Sequence, residues 1–225
     1  VNLFGAYINK CLKWGYFINV DEFEPELKMP DSPLRIMWCS RFLSWKHPEL
    51  PVKLAARLKR RNCNFIIDMF GSGERLDKTK KLAKKLNVED SVNFCGSRPN
   101  SVIRAEMRKH DVFLFTSDRN EGWGVVLNEA MSNGCTVIGS DEIGSVPYLI
   151  EDGENGCVFK SCDLDSLEQK VIYLIDHPKE RQRMAQNAYH TMQSLWSPEN
   201  AAKSFLALID DNMITSPATG PCSLA

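Results

Sequence analysis

Six short apolar runs rich in β-branched or aromatic residues alternate with stretches of helical spacing, and this alternation restricts the fold more than any other feature of the sequence. The runs are RIMWC (35–39), NFIIDMF (64–70), SVNFC (91–95), DVFLFT (111–116), CTVIGS (135–140) and CVF (157–159), each of strand length. Between them PVKLAARLKRR (51–61), RLDKTKKLAKKL (75–86), SVIRAEMRKH (101–110) and VVLNEAMSN (125–133) have helical periodicity and charged faces. Strands apolar on both faces and joined by helices predict a mostly parallel sheet covered on both sides, and right-handed crossovers make it a doubly wound α/β fold. After residue 160 the strand signal stops, and 163–175, 178–195 and 197–209 read as successive helices, the last capped by Ser197 and started by Pro198. One domain is therefore expected over 34–209. Residues 1–33, with KWGYF at 13–17, read as a junction, and 210–225, with Asp, Thr, Ser, Gly and two prolines, read as a poorly ordered tail.

Composition narrows the function classes. The 225-residue sequence is 43% hydrophobic and 25% charged, with a formal net charge of -1. That is the profile of a soluble globular protein, and it offers no electrostatic case for nucleic acid as a main partner. Five of the eight cysteines (Cys39, Cys63, Cys95, Cys135, Cys157) sit inside apolar runs, and there is no CxxC pair or HExxH. A metal site of the usual spacings is unsupported, and none is expected. Buried thiols fit a reducing compartment, and Lys10 and Lys13 interrupt any leader-like or membrane-length apolar run, so a cytoplasmic location is expected. The sequence opens at Val1 and enters aromatic residues at once, which reads as a piece of a longer chain.

Parallel sheets bind ligands outside the carboxyl ends of their strands, so the loops that follow the strands carry the candidate chemistry. After the first strand, SRFLSWK places Arg41 and Lys46 where two cations can converge on one anion. After the second, GSGER brings Gly71 and Gly73 to a helix start, where they serve either the turn alone or the approach of a phosphate or sugar hydroxyl. The segment after the fourth strand, TSDRNEGWGVVLNEAM, is the most specific. Gly122 and Gly124 separate Glu121, assigned to a loop, from Glu129, assigned to a helix. There Glu129 falls in the arc of Val125, Val126, Leu127, Ala130 and Met131, so it is half-buried and needs donors such as the vicinal hydroxyls of a ribose. The helix start at Gly124 and Val125 offers free N–H groups and the positive end of the dipole to an anion. The lysines of DKTKKLAKK read as a solvated helix face. His110 ends a helix and can bond its last carbonyls, whereas His47, His177 and His190 show no partner in the sequence. Trp123 fits packing and a site wall equally.

SRFLSWK, GSGER, FCGSRP, EGWGVVLNEAMSNGCTVIGSD and LIEDGENGCVF, in this order over about residues 34–209, resemble the C-terminal, Rossmann-like, nucleotide-sugar-binding domain of the retaining GT-B glycosyltransferases of family 4, or group 1. The resemblance implies roles by position. Arg41 and Lys46 match the basic pair that holds the donor diphosphate. Glu121 matches the glutamate that contacts donor-sugar hydroxyls, and Glu129 the one that binds ribose. The amides of Gly122, Trp123, Gly124, Val125 and Val126 match the loop and helix start facing sugar and phosphate, and Gly96, Ser97 and Arg98 match the place where the nucleobase lies. Members commonly have glycine at the positions of Ser40 and His47.

The resemblance further implies transfer of a sugar from a UDP- or GDP-sugar to a hydroxyl acceptor, with the anomeric configuration kept and no metal required, in polysaccharide or glycolipid synthesis. The acceptor-binding N-terminal domain of such enzymes is absent from this sequence, so the chain alone is expected to be inactive, and any membrane contact would come through that domain. The alternative is a nucleotide-binding regulatory module without transferase activity. A sugar-nucleotide epimerase would need its own acid and base, and no such pair is evident.

Overall fold

In a computed structural model that describes residues 11–22, 32–209 and 219–223, six parallel strands form one sheet in the order β3-β2-β1-β4-β5-β6. They are β1 (Leu34–Cys39), β2 (Phe65–Phe70), β3 (Val92–Gly96), β4 (Val112–Phe115), β5 (Thr136–Ser140) and β6 (Cys157–Phe159). Every apolar run named from the sequence is a strand, and the sheet is doubly wound as expected. Its sequence order reverses between β1 and β4, where Ile36 lies opposite Val112 and Trp38 opposite Leu114. That switch point opens a crevice at the carboxyl ends of the two strands.

Period-two alternation sends successive strand residues to opposite faces, and both faces are buried. On one side Ile36, Trp38, Ile67, Met69 and Leu114 pack under α1 (Glu49–Arg60), α2 (Leu76–Lys85) and α6 (Leu164–Asp176). On the other Met37, Phe113, Phe115 and Val137 meet α3 (Asn100–Met107), α4 (Val126–Ser132), α5 (Val146–Leu149) and α7 (Pro178–His190). Leu50, Leu54 and Leu58 of α1 recur at one-turn spacing and are buried. The chain leaves α1 and α2 through Asn62 and Asn87, both with positive φ, a conformation that asparagine tolerates better than most residues. α6 is capped by the Asp163 carboxylate, which accepts from the N–H groups of Asp165 and Ser166. α8 (Pro198–Ile209) follows Ser197, whose Oγ accepts from the Asn200 N–H at 3.1 Å.

A polar group inside the sheet ties three elements together. Asp68 on β2 accepts from Arg35 on β1 (2.9 Å) and Asn93 on β3 (2.7 Å), and its Oδ2 lies 2.8 Å from His110 Nε2. Burial alone would raise the Asp68 carboxyl, but these three partners hold it well below the ordinary carboxylate range. The second His110 nitrogen faces the Glu106 carbonyl at 2.7 Å, the helix-end bond expected of it.

Two expectations need correction, and two short elements were not anticipated. The tail is not uniformly loose, because Gly220–Ser223 pack against the domain: the Lys13 N–H donates to the Ser223 carbonyl and the Cys222 N–H to the Lys13 carbonyl, both at 2.8 Å. Residues 210–218 and 224–225 lie outside the described residues, as do 1–10 and 23–31 of the junction. Within the junction, 13–17 lies on the domain itself, with Phe17 stacked on Trp196 at 5.7 Å. Finally, α5 and a 3-10 turn at Ser44–Lys46 carry too few residues to show a period in sequence.

Candidate functional site

The loop after β1 and the loop after β4 meet at the switch point, and hydrogen bonds lace them together. Trp38 Nε1 donates to Thr116 Oγ1 (2.9 Å), whose hydroxyl donates to the Lys46 carbonyl (2.7 Å), and the Asp118 N–H donates to the Trp45 carbonyl (3.0 Å). Burying this many backbone groups at a strand end requires such pairing. The consequence is a fixed wall between the two loops, and on it stand Lys46 and Glu121. Their ammonium and Oε2 are joined in an ion pair, with side chains only 11% and 14% exposed, and Ser117 Oγ also donates to Oε2 at 3.1 Å. Glu121 Oε1 has no partner among the described residues and remains an acceptor.

This pair borders a cavity of about 530 Å³ lined by Tyr16, Cys39, Ser40, Arg41, Lys46, Glu121, Trp123 and Gly124–Val126. Burial, reinforced by the Arg41 guanidinium and opposed by Asp118, pushes the Lys46 ammonium down to about 8. Burial also pushes the Cys39 thiol up to about 12, aided by the nearby Glu129 carboxylate, so Cys39 is a neutral, unreactive wall. Gly124 has φ +73°, and a Cβ there would fall 2.2 Å from Phe115 Cζ and 3.2 Å from Glu121 Cγ. Glycine therefore lets the chain turn back over β4 into α4, so that Gly124, Val125 and Val126 line the cavity.

Of the residues singled out from sequence, Arg41, Lys46, Glu121, Trp123, Gly124, Val125 and Val126 come together at this cavity. Glu129 does not line it. It stands half-buried on α4, near enough to Cys39 to act on its thiol, and accepts from Asn100 Nδ2 of α3 at 2.7 Å. Gly122 lies on the far side of the turn, its carbonyl so close to Gly144 that a Cβ on the latter would collide at 1.7 Å. Ser97 and Arg98 are exposed after β3, where Ser97 Oγ donates to Ser72 Oγ at 3.0 Å. Gly71 and Gly73 have positive φ and sit against the backbone of Ser40 and Phe42. The Gly71 N–H donates to the Gly96 carbonyl, and the Phe42 N–H to the Ser72 carbonyl. Their geometry lets one loop pack on the next.

Two histidines gain partners that the sequence did not disclose. His177 Nδ1 meets the Tyr173 carbonyl at 2.9 Å. His47 stands in the left-handed region (φ 48°, ψ 52°), with Nδ1 3.2 Å from Glu49 Oε1 and Nε2 3.0 Å from Asp118 Oδ2. The Glu49 bond and then the Asp118 bond, against burial, raise its pKa. The glycine usual at this position would adopt that backbone freely; here two carboxylates offset the strain.

Sequence reasoning also missed Tyr16, Cys39 and Ser40 as lining residues. Tyr16 arrives because 13–17 crosses Trp123: Trp123 Nε1 donates to Asn128 Oδ1, and Asn128 Nδ2 to the Tyr16 carbonyl, both at 2.9 Å. Gly15 in KWGYF was the available signal, since a Cβ there would lie 2.1 Å from the Trp123 ring. Trp123 is thus both a packing residue and a site wall, with Tyr148 and Trp196 at 5.7 and 5.9 Å.

The family model described as Glycosyl transferases group 1 matches residues 19–191. The poly(glycerol-phosphate) alpha-glucosyltransferase of Bacillus subtilis is 28% identical over 172 residues, covering 76% of this chain and 25% of that protein. Among solved structures, a mutant of S. aureus TarM in complex with Fondaparinux, alpha-GlcNAc-glycerol and UDP matches with a TM-score of 0.75 at 19% identity, over 87% of this chain and 38% of that one. The C-terminal domain of the group 1 protein LpcC from Francisella tularensis matches with a TM-score of 0.67 at 25% identity, over 74% of this chain and 89% of that one. The chain spans a quarter to a half of the length of the curated relatives it matches.

Proposed function

Because the chain belongs to the group 1 glycosyl transferases, we propose that it is the donor-binding part of an enzyme that transfers a sugar from a UDP- or GDP-sugar to a hydroxyl, retaining the anomeric configuration, in polysaccharide or glycolipid synthesis. The observation that carries this reading is the convergence of Arg41, Lys46 and the free Oε1 of Glu121 on one cavity at the switch point. Breaking the donor's glycosidic bond places negative charge on the departing diphosphate and positive charge on the sugar ring. Preorganised charge aimed at those places is the largest catalytic lever such a site has. Lys46 keeps two of its three N–H donors beyond Glu121, and these, with Arg41 and the first turn of α4, would meet the diphosphate oxygens. Side chains, rather than a divalent ion, supply the neutralising charge in this account.

Glu121, held by Lys46 and Ser117 through Oε2, would accept a sugar hydroxyl through Oε1 and orient the ring rather than attack it. A glycosidase pair would need both carboxylates to flank the scissile bond, whereas Glu129 lies outside the lining that holds Glu121 and has one oxygen engaged by Asn100. We assign Glu129 to the ribose through its remaining oxygen, and the Ser97–Arg98 loop to the base. The same-fold TarM mutant structure that contains UDP supports a uridine diphosphate as the first ligand to try. The 225-residue chain alone is expected to bind donor without transferring to a simple acceptor.

The test is calorimetric titration of UDP- and GDP-sugars against the bare nucleotides. The sugar should add affinity, and Glu121→Gln should remove that increment while leaving bare UDP nearly unchanged. A sugar moiety that contributes nothing would replace the transferase reading with that of a nucleotide-binding module.

A further inference from the structure

A second cationic concavity lies outside the donor cavity. A concavity of about 610 Å³ lies between α1 and α2, and its lining includes Lys53, Arg75, Lys78, Lys81 and Lys85. The lysines of α2, legible in sequence only as a solvated face, are exposed, and three of them, Lys78, Lys81 and Lys85, form one wall of this hollow. Glu49 is the sole carboxylate of the lining, and it is engaged by His47. Arg75, Lys78, Lys81 and Lys85 enter no ion pair among the described residues. On a chain of net charge -1, five cations against one carboxylate in a concave site amount to a focused positive potential. The 3-10 turn at Ser44–Lys46 separates the two cavities: Ser44 and His47 face this one and Lys46 faces the other.

We propose that the α1–α2 hollow is a second anion site, which takes a soluble phosphate ester carrying two or more phosphates, distinct from the nucleotide site on the other side of the turn. The number follows from geometry. Lys78, Lys81 and Lys85 follow one face of α2 over about 10 Å at 1.5 Å rise per residue, a spread that one phosphate cannot contact. The preference for a soluble ligand over a lipid surface follows from the surroundings. Neither α1 nor α2 contributes any of the large exposed hydrophobic side chains among the described residues, so nothing there inserts into a bilayer. No exposed aromatic ring lines the hollow to stack a base, and nucleic acid is disfavoured accordingly. Lysine stems and Leu82 supply apolar contact for the carbon skeleton between phosphates.

The experiment titrates inorganic tripolyphosphate into the whole chain, alone and with saturating UDP, at several salt concentrations. One tripolyphosphate should still bind per chain in the presence of UDP, with affinity falling steeply as salt rises. The variant K78E/K81E/K85E should lose at least ~30-fold and show a shallower salt slope, because fewer phosphate contacts remain to release counterions. These positions are exposed, so UDP affinity and thermal stability should stay as in the wild type; Lys→Gln at the same positions should give an intermediate loss. Binding abolished by UDP would assign the anion to the donor cavity and overturn the proposal, as would binding indifferent to charge reversal. Capture by phosphatidylglycerol vesicles without tripolyphosphate binding would overturn it in favour of a membrane surface. The inference stands apart from the donor reading: were UDP not to bind at all, the response of tripolyphosphate to charge reversal would still decide it.

Discussion

Replacing Lys46 with methionine keeps most of the side chain's length and removes its charge, and the structure gives that change two separable consequences. The first is on binding. A charge-assisted hydrogen bond contributes about 1.5–3 kcal/mol net, and each 1.36 kcal/mol is a factor of ten. UDP should therefore bind about 10–150-fold more weakly. UMP, which lacks the second phosphate, should lose far less, so the UDP-to-UMP affinity ratio is the informative quantity. The second consequence is on stability. Methionine leaves the Glu121 carboxylate, 14% exposed, with Ser117 as its remaining donor. Removing one member of a fully buried pair costs about 3–5 kcal/mol; with the cavity open to solvent on one side, ~1–3 kcal/mol is the expectation here.

The double variant Lys46→Met with Glu121→Gln separates the two effects. Neutralising the stranded carboxylate should return most of the lost stability, read as the urea midpoint, while leaving UDP binding as weak as in the single variant. Calorimetry with UDP and UMP on the four proteins of the cycle completes the measurement. Restoration of UDP affinity by the second change would mean that Lys46 acts only by neutralising Glu121, and the diphosphate assignment would be lost. Equal weakening of UMP and UDP would count against it just as directly.

Three further outcomes follow from the same geometry. The Lys46 ammonium lies at about 8 in the free protein, and a bound diphosphate would raise it. UDP affinity should then be full below pH 8 and fall above it, and Lys46→Met should flatten that decline; an unchanged profile in the variant would show that another group titrates. His47 faces carboxylate oxygens with both ring nitrogens, an arrangement that favours the doubly protonated, cationic ring. Its folded pKa is raised above the unfolded value near 6.5, so its stabilisation is complete below that value and is lost as pH rises through the folded pKa. Urea midpoints at pH 5.5 and 8.5 should differ less in His47→Gln than in the wild type, and identical differences would refute this. Gly124→Ala should cost ~2 kcal/mol or more, from the left-handed backbone and from displacement of the buried Phe115 ring, and should weaken sugar-dependent affinity by shifting Glu121. Wild-type stability in that variant would mean that the turn is not held by close approach.

What could be read in the sequence, and what could not, divides by the range of the interactions involved. The strands were legible because each is buried on both faces, so its run is apolar regardless of its neighbours; CVF at 157–159 is the limiting case, three residues long and still placed correctly. Arg41, Lys46 and Glu121 were legible because a doubly wound sheet brings the loops after its first and fourth strands together, whatever their sequence. Position alone did not reveal which polar groups satisfy one another. Glu129 has the half-buried setting that its helical arc implied, yet its near oxygen is taken by Asn100, a residue 29 positions away on another helix. His47 looked partnerless because one partner, Asp118, is 71 positions distant. The glycines of GSGER illustrate the same limit, since the 40–42 backbone that excludes a Cβ at Gly71 and Gly73 becomes adjacent only once β1 and β2 pair. Topology thus assembles the charges of the site, whereas their pairing, and with it the acceptor left free on Glu121, is decided by side-chain contacts between loops that no local pattern encodes.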